Sequence, residues 1–517
     1  MQHHHTPRIG RGFAAAALVC FAGAALANDP EIIFTKIATH PSSIVPGAVD
    51  PNGDPVNTNW RALERIIVSP DGSRWILKGR TQQATLEENI MLLGSDADLS
   101  TVNFAQEGLP IPDGVAGEVY DFFGSGLGRF NLNNQFAYSA RARGGVNSVF
   151  QKVIVYSGGL VPTPADFEIV TQMGDPYTGL IDSPPNPSGD ELVGNSIGSI
   201  HILDNGTVGA HDATIQNINS LRRPALFYDN DSFLQRGVDT VLGLDGVTVF
   251  LVTNLSGNTF YTTPDGQRWI ALGTIDTGST ANNSVLLLNG QVVLQQGSEI
   301  GTTGVIVNAI FTANIASSGD WYARGSIAGG GVWAVVNGAL VARTGSPIHD
   351  GATETWGTSF LSFDGNANGE WVLVGTTDNP DPALDTVMVL NDERVLVREG
   401  DQVDLPGFAD DVFIGRGNPA VAAFSANETV LTNDGIVYFI ASIHDGAGND
   451  YNSTPAFATP QAFFRLDTNP AVACPGDFNG DNVVDFADLS EVLGDFGGAY
   501  DFNDLSLVLS NFGADCN

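Results

Sequence analysis

Seven times along the chain, at intervals of 50 to 72 residues, one local pattern returns. A tight polar turn is followed within three residues by a large apolar side chain. Asp71-Gly72 precedes Trp75, Asp265-Gly266 precedes Trp269, Ser318-Gly319 precedes Trp321, and Asn368-Gly369 precedes Trp371. Looser copies place Asn134 before Phe136, Asn205-Gly206 before Val208, and Asp434-Gly435 before Val437. A unit of this size cannot bury an apolar face alone, so repeats must stack on their neighbours.

A second signature follows about twenty residues after the clearest copies. Leu288-Asn289-Gly290-Gln291, Val336-Asn337-Gly338-Ala339 and Leu390-Asn391-Asp392-Glu393 each interrupt a β-branched or leucine-rich run. Residues 153–174 and 225–237 are looser versions. Asn-Gly between two such runs predicts a hairpin, because both central residues of a type I′ turn need positive φ. With one strand before each polar turn and one after it, every repeat has four antiparallel strands. That pattern predicts an all-β fold, a β-propeller of seven four-stranded blades over residues 28–467. A row of β-sandwiches would need longer repeats. The apolar run 31–37 has no partner within its own repeat, so it is expected to complete the last blade and close the ring. The repeated tryptophans are expected to pack between blades. The turn Ser69-Pro70-Asp71-Gly72-Ser73 resembles the Asp-box of sialidase-like propellers, one residue shorter between Asp and Gly, and that box is a structural turn.

The first 27 residues read as a secretory signal peptide: Arg8 and Arg11, a short apolar stretch, then Ala25-Leu26-Ala27. This leader carries two arginines and no acid, leaving 58 acidic against 20 basic side chains, a net charge of −38. Three lysines remain, Lys36, Lys78 and Lys152. Such a balance argues against nucleic acid and anionic membrane as partners. No later stretch is long and apolar enough to span a bilayer. The expected location is secreted, extracellular or at the cell surface.

Beyond a short polar linker, 468–473, the composition changes. Residues 477–488 read DFNGDNVVDFAD, with oxygen donors Asp477, Asn479, Asp481, Asp485 and Asp488 at loop positions 1, 3, 5, 9 and 12, and the Val483 carbonyl at 7. A twelve-residue loop with this spacing supplies the oxygens a hard cation such as Ca²⁺ requires. The stretch Asp488-Leu489-Ser490 through Phe496-Gly497 recurs sixteen residues later as Asp504-Leu505-Ser506 through Phe512-Gly513. The second loop is half missing, with Leu493 and Gly497 where positions 1 and 5 fall, so one Ca²⁺ site is expected. The duplicated loop and helix with Asp at position 12 resembles a type I dockerin, an EF-hand-like module, here residues 474–517. The resemblance implies calcium-dependent docking to a protein or cell-surface partner. Cys474 and Cys516 bracket the module, and in an oxidising compartment a disulfide between them is expected. The two helical stripes, Leu489, Val492, Leu493, Phe496 and Leu505, Val508, Leu509, Phe512, are expected to cover each other. Signal peptide, β-repeat body and Cys-bracketed tail together resemble secreted proteins of planctomycete-type bacteria.

No H-E-x-x-H, G-x-S-x-G or P-loop motif occurs, and no catalytic set can be named. His211-Asp212, on an expected strand, is the one pair singled out. Two readings result. The first is a non-enzymatic secreted binding or scaffold protein with a calcium-dependent docking tail. The second is a polysaccharide-active enzyme, a glycoside hydrolase or lyase with a propeller catalytic domain. Converging carboxylates and exposed rings at the channel mouth would mark the enzyme; small polar residues would mark the binding module.

Overall fold

A computed structural model describes residues 29–124, 128–145, 150–182, 189–416, 422–449, 451, 461–469, 476, 478, 483–494, 496, 500 and 502–513. The chain divides into two compact units, Asp29–Asn469 and the tail.

The first unit is a seven-bladed β-propeller. Its seven sheets have innermost strands Trp60–Val68, Arg129–Phe130, Ile197–Ile202, Val249–Thr262, Val307–Ile315, Trp356–Gly365 and Phe424–Leu431, each touching the next around the ring. The second strands begin at Arg74, Phe136, Val208, Trp269, Trp321, Trp371 and Ile436, within one residue of every predicted anchor. Glu31–Thr35 pairs antiparallel with Gln461–Asp467 and completes blade 7, so the ring closes as expected. The four-strand rule has exceptions. Blade 2 splits its inner edge into Glu118–Phe123 and Arg129–Phe130, and blades 4 and 7 carry extra short strands.

The anchors pack as the pattern requires. Trp75 of blade 1 is fully buried, edge-on to Phe463 of blade 7 at 5.2 Å and Phe34 at 6.2 Å. Trp269 of blade 4 meets Phe233 of blade 3 at 5.4 Å. Gly94 must stay a glycine, since a Cβ there would lie 2.0 Å from the Trp75 ring.

The hairpins explain why the two signatures travel together. Both central residues have positive φ, as type I′ turns demand: Asn289 at 49° with Gly290 at 81°, and Asn337 at 50° with Gly338 at 82°. Each turn Asn also reaches sideways to the anchor. The Asn289, Asn337 and Asn391 side-chain oxygens accept from the backbone N–H of Trp269, Trp321 and Trp371 at 2.8, 2.9 and 2.7 Å. In blade 3, Asp229 does the same for Val208. One residue type meets both demands, because Asn tolerates the left-handed conformation and carries an acceptor. Asn337→Gly should therefore lose only its two side-chain hydrogen bonds, from the Trp321 N–H and to Asp320, about 1 kcal/mol each, and Asn337→Ala should lose more because it also strains the turn. Melting temperatures in the order wild type, Gly, Ala would show this; Ala equal to Gly would remove the backbone half of the account.

The polar turns at the anchor end form a hydrogen-bonded ring between blades. Asn134 donates to Asp71, Asn131 to the Leu203 carbonyl, and the Asp204 N–H to the Pro264 carbonyl. Arg268 donates to the Gly319 carbonyl, Tyr322 to the Asn366 carbonyl, and Asn366 to the Thr432 carbonyl. The Asn433 N–H donates to the Pro70 carbonyl and returns the ring to blade 1. Thr468, fully in the expected linker, is buried and donates to the Gly435 carbonyl at 2.7 Å.

In the tail, helices Phe486–Gly494 and Phe502–Asn511 enclose a small core of Val484, Val492 and Val508, with Leu489 and Leu505 at its edge. The expected stripes are only half correct. Leu493 and Leu509 are 56% and 59% exposed, because two short helices meet along one narrow line and Val484, outside both, fills the remaining contact. Phe486 packs on Phe512 and Phe496 on Phe502, each at 5.0 Å. These pairs are exchanged by the sixteen-residue duplication, so the internal repeat has become a local two-fold with antiparallel helices.

Candidate functional site

All seven innermost strands contribute to a central cavity of ≈ 550 Å³. Its wall mixes small polar side chains, among them Ser199, Thr262, Thr312, Asn314, Ser362 and Thr429, with apolar ones such as Ile66, Val68, Phe130 and the half-exposed Phe311. Inner strands alternate, so every second residue faces the axis while the rest pack into the blade.

Charge in this channel is tied down. Arg129 of blade 2 extends over the Tyr261 ring of blade 4, guanidinium carbon 3.5 Å from the ring centre, and donates to Asn314 of blade 5. Asn314 in turn donates to Asp364 of blade 6, whose other oxygen accepts the Leu431 N–H of blade 7 at 3.1 Å. This chain of contacts braces the ring from one side to the other. Burial lifts the Asp364 carboxyl above its ordinary range, opposed by its hydrogen bonds and by Arg129. Burial likewise lowers the Arg129 guanidinium.

Other charges follow the same rule. Glu428 is nearly buried, accepts the Ile66 N–H at 3.0 Å and lies 3.4 Å from Arg65; burial pushes its pKa up to about 7. Arg324 donates to the Phe360 carbonyl and to Asn427, both at 2.7 Å. His201 is buried, one ring nitrogen on the Ser199 carbonyl and the other on Thr262 Oγ1, both at 2.9 Å. Burial lowers its pKa to about 3, which keeps the ring neutral.

His211 and Asp212 do not act as a pair. Adjacent strand residues point to opposite faces. Asp212 is fully buried and accepts from Tyr177 Oη at 2.9 Å, Gly194 N at 2.7 Å and Thr214 N at 2.6 Å. It is a structural acceptor.

Of the calcium-loop residues, Val483, Asp485 and Asp488 are described; Asp477, Asn479 and Asp481, like Cys474 and Cys516, lie outside the described residues. Asp488 is fully buried, one oxygen accepting the Phe478 N–H at 2.7 Å and the other the Asp485 N–H at 2.9 Å. Asp485 caps the helix through the Ala487 N–H at 2.6 Å.

Arg129, Asn314 and Asp364 were not singled out from sequence, since they are isolated letters in three different repeats. One signal was present: basic residues are scarce in so acidic a chain, and a rare cation usually has an assigned place.

No family model matches the chain, and no curated protein does. Among solved structures, it is similar to Raptor of Chaetomium thermophilum at 8% identity and TM-score 0.33, over 79% of this chain and 28% of that one. It is similar to prolyl oligopeptidase B from Galerina marginata at 10% identity and TM-score 0.35, over 78% of this chain and 48% of that one. The polysaccharide lyase Uly1 matches at 7% identity and TM-score 0.35, over 80% of this chain and 91% of that one. The chain thus spans less than a third of the first relative and about half of the second. Likenesses this distant carry no argument about function.

Proposed function

We propose that this chain is a secreted binding or scaffold protein, with a propeller that presents a binding surface and a tail that docks through one Ca²⁺. The observation that carries the first half is the channel. Small polar side chains make up part of its wall, and Arg129, Asn314 and Asp364 spend their hydrogen bonds on one another. A proton-transfer pair needs groups free to reach a substrate.

The second half rests on the loop chemistry. Asp488 is a fully buried carboxylate in a unit with a three-valine core. The backbone amides of Phe478 and Asp485, two members of the same loop, hold both its oxygens. Asp477, Asn479, Asp481, the Val483 carbonyl and Asp485 would join it as an all-oxygen set suited to Ca²⁺. The bound cation would neutralise carboxylates that repel one another in its absence.

Calorimetry of the mature chain with CaCl₂ is expected to show one strong site, abolished by Asp477→Ala with Asp488→Ala. The same double variant should leave the melting of the propeller unchanged and release any bead-bound partner that a chelator also releases. Two equal sites, or none, would overturn the calcium reading. Turnover of a polysaccharide by the mature chain would overturn the binding reading.

A further inference from the structure

Five large apolar side chains stand exposed within ten residues of blade 4: Leu242, Leu244, Val247, Val249 and Leu251. The described residues of the propeller expose sixteen such side chains, so nearly a third of them fall on this one short segment. Apolar residues scattered singly over a surface need no explanation, but a cluster marks a contact surface.

The segment is a β-ribbon. The extra short strand of blade 4, Thr240–Leu242, pairs antiparallel with the start of the inner strand, Val249 to Leu251. Strand side chains alternate between faces. Val241 and its partner Phe250 turn onto the core shared with blade 3. The pairs on either side, Leu242 with Val249 and Thr240 with Leu251, therefore take the opposite face. The ribbon is held at two places. At its tip, Asp245 accepts from the Val247 N–H at 2.9 Å and the Thr248 N–H at 2.8 Å, and Val247 stands there 78% exposed. Along its edge, the Leu242 N–H donates to the Gly290 carbonyl at 2.9 Å, which moors it to the outer hairpin of the blade. A strip fixed in this way loses little freedom when something covers it.

Charge on the ribbon is confined to its ends. No Lys or Arg occurs from Gly237 to Gln267. Asp245 is at the tip, and Asp239, at the base, accepts the Gln235 N–H at 2.5 Å. One cation sits beside that base. Arg222 lies against Gly237, where a Cβ would come within 2.8 Å of its Nη1, and it forms no ion pair among the described residues.

We propose that this ribbon is a self-association surface, and that two copies of the chain pair ribbon to ribbon about a two-fold axis with the ribbons antiparallel. A two-fold sets the same strip of each copy against the other. Of the two ways it can stack the ribbons, the antiparallel one brings the tip of each to the base of the other. Asp245 then meets the partner's Arg222, and the two tips, which repel, stay apart. Each mature chain carries a net charge of −38, so a contact between copies needs an uncharged middle and complementary ends. Five side chains make a small strip against the ~800 Å² per partner of a standard interface, so the dimer is a weak one. The pairing concerns the propeller alone and is independent of the calcium reading; where both hold, each dimer carries two docking tails.

Sedimentation equilibrium of the mature full chain, from about 1 to 300 μM, should show the mass rising from one chain toward two. Val249→Glu places a charge in the strip and should weaken association by about tenfold or more. Val247→Ser should act in the same direction, and its exposure covers the case in which a thermal melt shows that Val249→Glu fails to fold. Arg222→Gln, and Asp245→Asn, which keeps an acceptor for the tip, should each weaken association about two- to fivefold, and the double variant should be no weaker than either single one. A chain that stays monomeric throughout overturns the proposal and leaves the strip to another protein. A dimer unchanged by the folded Val249→Glu and Val247→Ser variants overturns it too, since another surface would then be responsible. Losses that add in the double variant overturn the antiparallel register.

Discussion

Deleting residues 29–38 from the mature chain is expected to abolish cooperative unfolding of the propeller. The strand Glu31–Thr35 is short, but its contribution is large. Ile32, Phe34 and Ile37 are buried, and Phe34 sits among Trp60, Trp75 and Phe463 at 5.6, 6.2 and 6.5 Å. Burying each such side chain stabilises by about 1.5–3 kcal/mol, so the three together rival the ~5–15 kcal/mol of a whole domain. The deletion also leaves Gln461–Asp467 as an open edge, with Phe463 and Phe464 newly exposed. Removing the tail from Cys474 onward should have a small effect, because it belongs to the other compact unit. Thermal melts of the two truncations decide the matter. A chain starting at residue 39 that melts like the full one would show that closure contributes little.

Arg129→Met should be the most damaging single change in the channel, costing about 3–5 kcal/mol, the usual penalty for leaving a buried charge without its partner. Asp364 would remain, buried, with its nearby cation removed. Its folded-state pKa, already raised by burial, would rise further. A carboxyl raised in the folded state contributes stability that is fully present below its ordinary value of 3.8 and lost as pH rises through the raised value. The variant should therefore lose more stability on going from acid to neutral pH than the wild type does. Adding Asp364→Asn should restore much of the loss and flatten that pH dependence. Denaturant midpoints across the pH range test this, and a double variant no better than Arg129→Met would break the link between the two residues.

Much of this protein was written locally. Each blade's second strand begins beside a polar turn because Gly and Asn supply the left-handed backbone that lets the chain reverse. The hairpins of blades 4, 5 and 6 lie where Asn can both make the turn and cap the anchor strand. These are short-range requirements, so residue letters at fixed offsets reveal them, and the count of seven follows. Closure by residues 31–37 was legible for a related reason: an apolar strand without a partner must find one.

The tail was legible in its pattern but not in its packing. The sixteen-residue duplication predicted two paired helices, yet Leu493 and Leu509 face outward while Val484 fills the core. Which members of an apolar stripe are buried depends on where two helices cross, and sequence period does not specify that.

The channel brace belonged wholly to the tertiary structure. Arg129 and Asn314 are 185 residues apart. Sequence determined the blades, their number and their closure, because turns and strands are short-range. Only the closed ring decided which single residues from distant repeats face one another, because each meeting depends on the summed rotation of every blade between them.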